Sequence, residues 1–341
     1  MKTDIFIRYS SYSLIMVSIL DKKDKKILYE LDLDSRQPLT KIAKKVQLSR
    51  ESILYRIKKY QNEGIIRDYL TVIDMAKLGF IHHKIYIKLH NITEEQEKKF
   101  IQSLGKNPNI SWISSCDGKY SLIFGTTTKS VIELNNLMKE IDNKYWKFIK
   151  EKDISAIIDA SHFDRSYLVE KENSSERKAY WGGKSEKVKL DDINFEILNE
   201  LSKNSRVSSV EIAEKLKISP DAVIQRIKGL ERSKVVINYM VWPNVNKLTG
   251  LYYKVLVTLH SMNKEKENRL KSYCLQNPNI VYMVNSFGQW QLELDIEVEN
   301  MEQFRDLMRK FLNRFSDVVS DYSPLNIFEE YKFRFFENNI V

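Results

Sequence analysis

Two stretches, SRESILYRIKKYQNEGII at 49–66 and SPDAVIQRIKGLERSKVV at 219–236, concentrate side chains able to grip a polyanion. In the first, Ile53, Ile57 and Tyr60 recur at helical spacing and make a narrow apolar stripe. At about 100° per residue, Glu51, Ser52, Tyr55, Lys58 and Lys59 point the opposite way, with Arg50 at the helix start. Ser49 is placed to cap the helix, its hydroxyl accepting from a free N–H of the first turn. Gly64 permits a left-handed helix end, and Ile65 and Ile66 begin extended chain. A short helix with such a face can enter a DNA major groove, its cations neutralising phosphates and its polar groups meeting base edges. A solvated helix face is also charged, so the surrounding architecture has to decide between the two.

The second stretch keeps the stripe but presents Asp221, Ala222, Gln225, Lys228 and Gly229 outward, behind the cap Ser219. Lys234 stands where Gly64 stands, which predicts a different helix end. The DNA-contacting candidates are therefore Ser49, Arg50, Ser52, Tyr55, Lys58 and Lys59 in one copy, and Ser219, Gln225 and Lys228 in the other. Arg56 and Arg226 flank the stripes and could clamp a phosphate or pair with a carboxylate inside the domain. Arg36 and Arg206 precede the second helix of each copy and could touch phosphate or lie idle at the surface.

Other reactive side chains give no shared chemistry. His90 and His260 end matching strands, and His82-His83 becomes Tyr252-Tyr253 in the second copy. Cys116 and Cys274 do not match between copies and read as packing residues in a reducing interior. No CxxC pair or His/Arg/Tyr constellation is present, so no catalytic residue, metal or cofactor is expected.

The elements that position these helices are duplicated. Residue n aligns with residue n + 170 without gaps, with 16 identities in 50 positions between 20–69 and 190–239. The register continues through Asn107-Pro108-Asn109-Ile110 with Asn277-Pro278-Asn279-Ile280, and Gly118 with Gly288. Each copy opens with three helices, capped in the first by Asp21, Thr40 and Ser49, and then a strand hairpin, a winged helix-turn-helix. Strand and helix patterns then alternate as βαββαβ, a ferredoxin-like unit. The expected fold is α+β: 1–19 an N-terminal extension, 20–75 and 190–245 the winged helix-turn-helix domains, 76–165 and 246–341 the ferredoxin-like domains, and 166–189 a linker pinned by Tyr180 and Trp181. Residues 1–15 read either as an upstream start-site artefact ahead of Met16 or as a short packed element. The apolar run from Leu14 to Leu20 is too short to span a bilayer, so no membrane association is expected.

With 341 residues, 43% apolar and 30% charged, the chain can build several cores, and its net charge of +9 leans towards a polyanionic partner. That charge is uneven. Residues 20–69 hold 13 Lys and Arg against 8 Asp and Glu, whereas 190–239 hold 8 of each. The first copy is thus expected to be the stronger reader.

The wording LDKKDKKIL at 20–28, LDDINFEIL at 190–198, both RIK runs and the Gly118 and Gly288 hairpins resembles the Lrp/AsnC (feast/famine) family. The resemblance covers nearly the whole chain, twice, and implies a bacterial- or archaeal-type transcription regulator acting on double-stranded DNA in the cytoplasm, at the nucleoid. It also implies pairing of the βαββαβ (RAM) modules, here as an intrachain pseudo-dimer able to form a homo-oligomer, and sensing of an amino-acid-like effector. The family's effector loops would map to Gly118, Tyr120 and Ser121, and to Gly288, Trp290 and Gln291. The family usually has Asp three residues after the hairpin glycine; Ser121 and Gln291 depart from that pattern. The same architecture also resembles sirohaem decarboxylases, and a scaffold without DNA binding is the remaining alternative.

Overall fold

The computed structural model describes residues 20–170, 179–184, 186–260 and 262–337; the proposed N-terminal extension lies outside them. The first copy opens with α1 (Lys22–Leu33), α2 (Leu39–Val46) and α3 (Arg50–Asn62), followed by strand β1 (Ile66–Ile73). Its second part runs β2 (Ile81–Leu89), α4 (Glu94–Gly105), β3 (Ile110–Asp117), β4 (Leu122–Thr128), α5 (Val131–Tyr145) and β5 (Ile149–His162). After strand β6 (Ala179–Gly182), the second copy repeats the order: α6 (Asp192–Lys203), α7 (Ser209–Leu216), α8 (Pro220–Arg232) and β7 (Val236–Pro243). It ends with β8 (Leu251–Leu259), α9 (Lys264–Gln276), β9 (Ile280–Phe287), β10 (Leu292–Val298), α10 (Met301–Arg314) and β11 (Val319–Phe333).

Local chemistry explains most helix ends. Asp21 and Asp24 form a reciprocal capping box at α1. Ser49 and Ser219 accept from the N–H groups of Ser52 and Ala222, each at 3.1 Å. Thr40 is not a cap: α2 begins one residue earlier, behind Pro38, with no side-chain cap. The expected difference at Lys234 is also absent. Lys234 takes φ 57°, close to the 65° of Gly64, and Val235 N–H reaches Leu230 C=O at 3.0 Å as Ile65 reaches Tyr60 at 2.8 Å. Burial of Val235 and that hydrogen bond hold a lysine where glycine costs less.

The strand after the third helix of each copy does not fold into its own hairpin. Instead β1 pairs antiparallel with β7, with Leu70 opposite Met240, one repeat length apart and so on a pseudo-twofold axis. Each strand has an unpaired edge, and the other copy supplies its complement. The same axis carries a 2.6 Å hydrogen bond between the Ser35 and Ser205 hydroxyls.

The remaining strands form one sheet ordered β2-β4-β3-β11-β8-β10-β9-β5-β6, and β2 also pairs with β5. Eight strands therefore close on themselves, four from each copy in the spatial order last, first, third, second. The joins are β3–β11 and β5–β9, so each module caps the other's edge. Helices α4 and α5 cover the outer face of the first module through Phe100, Leu104, Leu137 and Met138; α9 and α10 cover the second. The inner faces meet over Tyr86, Trp112, Tyr120, Leu256 and Trp290. Two lysines, Lys84 and Lys254, sit in this interior with Glu293 and Asp295.

The stretch proposed as a linker is partly built in. Leu168 joins the first helical core, β6 adds to β5, and Trp181 packs edge-on against Tyr282 and Phe335 at 6.0 and 5.7 Å. Its apolar side chains find buried surface that its charged composition does not reveal. Cys116 and Cys274 are buried free thiols, and burial pushes both up to about 12.

Candidate nucleic-acid interface

Helix α3 is held by Ile53, Ile57 and Tyr60, all buried in the first helical core. The Tyr60 hydroxyl donates to Asp24, and burial together with that carboxylate raises the phenol well above its ordinary value. The opposite face is open. Tyr55 is 71% exposed, and Ser49, Arg50, Lys58 and Lys59 are exposed, with Ser52 half-buried. Their own pairings are weak: Arg50 lies 3.8 Å from Glu51 and Lys59 lies 3.9 Å from Glu63. Lys58 has no ion-pair partner among the described residues. Lys41 and Lys44 on α2 are exposed as well, and the sequence pattern did not mark them.

Helix α8 repeats the packing through Val223, Ile227 and Leu230. Ser219, Asp221, Gln225 and Lys228 are exposed on it, so its outer face carries far less positive charge.

Four of the five arginines proposed as DNA contacts, all but Arg50, are engaged within the chain. Arg56 donates to Asp21 at 2.8 Å and to Asp24; Arg226 donates to Asp191 at 2.7 Å and to Asn194 at 3.2 Å. The hydrogen bond from Arg226 holds the Asp191 carboxyl below its ordinary range. Slight burial pushes Asp21 up, but Arg56 and the Asp24 backbone bring it down. These arginines tie α3 and α8 to the starts of α1 and α6. Arg36 and Arg206 cross the pseudo-twofold axis instead. Arg36 donates to the carbonyls of Ser205 and of Val207, the latter at 3.0 Å, and Arg206 donates to the Ser35 carbonyl. Each guanidinium lies over the other copy's tyrosine, Tyr239 at 5.2 Å and Tyr69 at 5.4 Å. Residues that read as phosphate contacts are therefore the clasp between two helical domains.

The six hairpin positions proposed for an effector also have contacts within the chain, the two glycines against the other module and the rest mainly within their own. A Cβ on Gly118 would meet the Pro324 carbonyl at 2.8 Å, and one on Gly288 the Ile154 carbonyl at 3.2 Å. Tyr120 donates to Asp153 and Trp290 to Glu293 at 3.1 Å. Ser121 and Gln291 accept from the N–H groups of Leu89 and Leu259 at 3.3 and 3.0 Å. The two hairpins meet directly through Lys119 and Gln289 at 2.8 Å.

Fold and face together define a class of protein: paired helix-turn-helix units on a shared β-scaffold, one with a basic outer face. A family model of the AsnC-type helix-turn-helix domain matches residues 20–61, and one described as winged helix-turn-helix DNA-binding matches 190–237. An uncharacterised HTH-type transcriptional regulator of Pyrococcus furiosus is 32% identical over 129 residues, covering 38% of this chain and 83% of that protein. The HTH-type transcriptional regulator LrpC of Bacillus subtilis is 34% identical over 123 residues, covering 36% of this chain and 84% of its own length. The chain belongs to the Lrp/AsnC family of DNA-binding transcriptional regulators. Over its whole length it is similar in fold to the siroheme decarboxylase NirDL, with a TM-score of 0.58, 14% identity, and coverage of 93% of this chain and 94% of that one.

Proposed function

We propose that this chain binds double-stranded DNA as a built-in dimer, reading sequence chiefly through α3 in a major groove. One observation carries the reading: α3 exposes Arg50, Tyr55, Lys58 and Lys59 together, on a helix fixed to its twin across the pseudo-twofold axis. Two readers so related address two half-sites on one face of the duplex. The first half-site is bound tightly, and the second, met by Gln225 and Lys228, weakly. The ferredoxin-like modules act as the dimerisation scaffold, and the work is done in the cytoplasm on nucleoid DNA. Genome-wide footprinting is the test. Paired protections, one strong and one weak, at a constant spacing are expected; equal half-sites or no protection would refute the asymmetry or the reading.

A second reading, decarboxylation of a tetrapyrrole, is supported by the whole-chain likeness to NirDL. A polycarboxylate substrate needs free cations, whereas Lys84, Lys254 and Arg165 are already ion-paired. A shift in tetrapyrrole absorbance on titration with the chain would favour this reading.

A further inference from the structure

Helices α3 and α8 share a buried stripe but not an outer face. In the repeat register, Arg50 of α3 stands against Pro220 of α8, Ser52 against Ala222, Tyr55 against Gln225 and Lys59 against Gly229. Glu51 with Asp221 and Lys58 with Lys228 match in kind. Any difference in the bases the two helices prefer therefore comes from the positions that differ. A reader helix meets base edges with its N-terminal residues, and the differences at 50, 52 and 55 fall in the first half of α3.

The chemistry at these positions separates the bases. Arg50 is exposed and loosely held, 3.8 Å from the Glu51 carboxylate, so its guanidinium can fork onto O6 and N7 of guanine. Pro220, in the first turn of α8, offers neither a side-chain donor nor a backbone N–H at the matching place. Gln225 is exposed and carries a primary amide, whose donor and acceptor together match N7 and N6 of adenine. Tyr55 has one hydroxyl there and cannot make that pair. Ala222, half-buried, sets a methyl group where Ser52 sets a hydroxyl, and a methyl group suits contact with thymine.

The two helices are also held in a fixed relation. The β1–β7 pairing, the Ser35–Ser205 hydrogen bond and the crossed Arg36 and Arg206 join the two helical domains across the pseudo-twofold axis. A dimer of identical chains reads a palindrome and can be turned end for end on it without change. Two unlike readers in one chain lack that equivalence.

We propose that the chain reads a directional, non-palindromic site and lies on it in one orientation. One half-site presents guanine to Arg50 of α3; the other, at a fixed distance, presents an A·T pair to Gln225 and Ala222 of α8. Arg50 and Gln225 are the specificity-determining residues. This inference rests on the DNA reading above and adds to it the base content and order of the two half-sites.

The test is selection of bound duplexes from a random-sequence library by the full chain. Two unlike half-sites are expected, with guanine in one and adenine in the other. Arg50→Ala should flatten the preference at the guanine alone and Gln225→Ala at the adenine alone, each by about tenfold, the effect of losing one bidentate base contact. Orientation is read separately. Gln61→Cys, exposed near the end of α3, carries an iron chelate that cuts neighbouring DNA, the native Cys116 and Cys274 being buried. Cleavage beside the guanine half-site alone is expected. A palindromic motif, equal cleavage beside both half-sites, or a variant that keeps the wild-type preference at its base overturns the inference and leaves the DNA reading standing. Failure to retain any duplex overturns the DNA reading itself, and the inference falls with it.

Discussion

Replacing Glu293 with Gln tests how firmly the two modules are locked together. The carboxylate is fully buried and accepts from Lys84 Nζ at 2.5 Å, Tyr86 Oη at 2.6 Å and Trp290 Nε1 at 3.1 Å, with Lys254 Nζ 3.8 Å away. Lys84 and Tyr86 come from the first copy, so the contact spans the module interface. Burial alone would push Glu293 up, yet Lys84 and Lys254 together bring it down to about 2. Burial is also the largest influence on Lys84 and holds it below the ordinary lysine range despite Glu293. The amide keeps the shape but leaves Lys84 without its counter-charge. Breaking a buried pair in this way costs about 3–5 kcal/mol, the upper part reduced if Lys84 deprotonates. The pH profile gives a second reading of the same number. A carboxyl that titrates lower when folded stabilises the fold above its unfolded value and loses that contribution as pH falls. A drop from 4.5 to about 2 corresponds to roughly 3 kcal/mol, present at neutral pH and lost as acid approaches pH 2. Urea denaturation of both proteins from neutral to acid pH is the assay. The variant should be less stable at neutrality and lack that part of the acid limb, and the double change Lys84→Met/Glu293→Leu should recover most of the loss. A neutral-pH cost below about 1 kcal/mol with an unchanged acid limb would refute the reasoning.

Other changes probe the features that depart from expectation. Lys234→Gly relieves a left-handed lysine and should stabilise the chain by about 1 kcal/mol, raising the melting temperature by a few degrees, whereas Gly64→Ala should lose a similar amount. Arg36→Ala removes cross-axis hydrogen bonds and a ring contact, so it should cost about 1–2 kcal/mol in chemical denaturation. It should leave the salt dependence of DNA binding unchanged. A fall in that slope would return Arg36 to the phosphate contacts. Ser208→Ala breaks the α7 capping box and should cost about 1 kcal/mol, with no counterpart at the uncapped start of α2.

Much of the fold was legible because the repeat register and the period of the apolar residues are local signals. Ile53, Ile57 and Tyr60 announce a buried stripe from spacing alone, and the strand and helix order of each module follows from alternation. What stayed hidden depends on partners far away in sequence. The pattern of β1 fits a hairpin as well as it fits pairing with β7, since both satisfy its hydrogen bonds. Arg36 and Arg206 look like phosphate contacts because a guanidinium serves a carbonyl and a phosphate equally well. The left-handed Lys234 is invisible where glycine is the usual signal.

Dominance of α3 as the DNA reader is the central claim. The direct measurement is DNA affinity over a range of salt for the wild type, Lys58→Ala/Lys59→Ala and Lys228→Ala. Removing one lysine from a phosphate should lower the slope of log affinity against log salt by about 0.9. The double variant should therefore show a fall of about 1.8 and a marked drop in affinity, with little change at Lys228. Equal falls for both helices, or none for α3, would contradict that dominance.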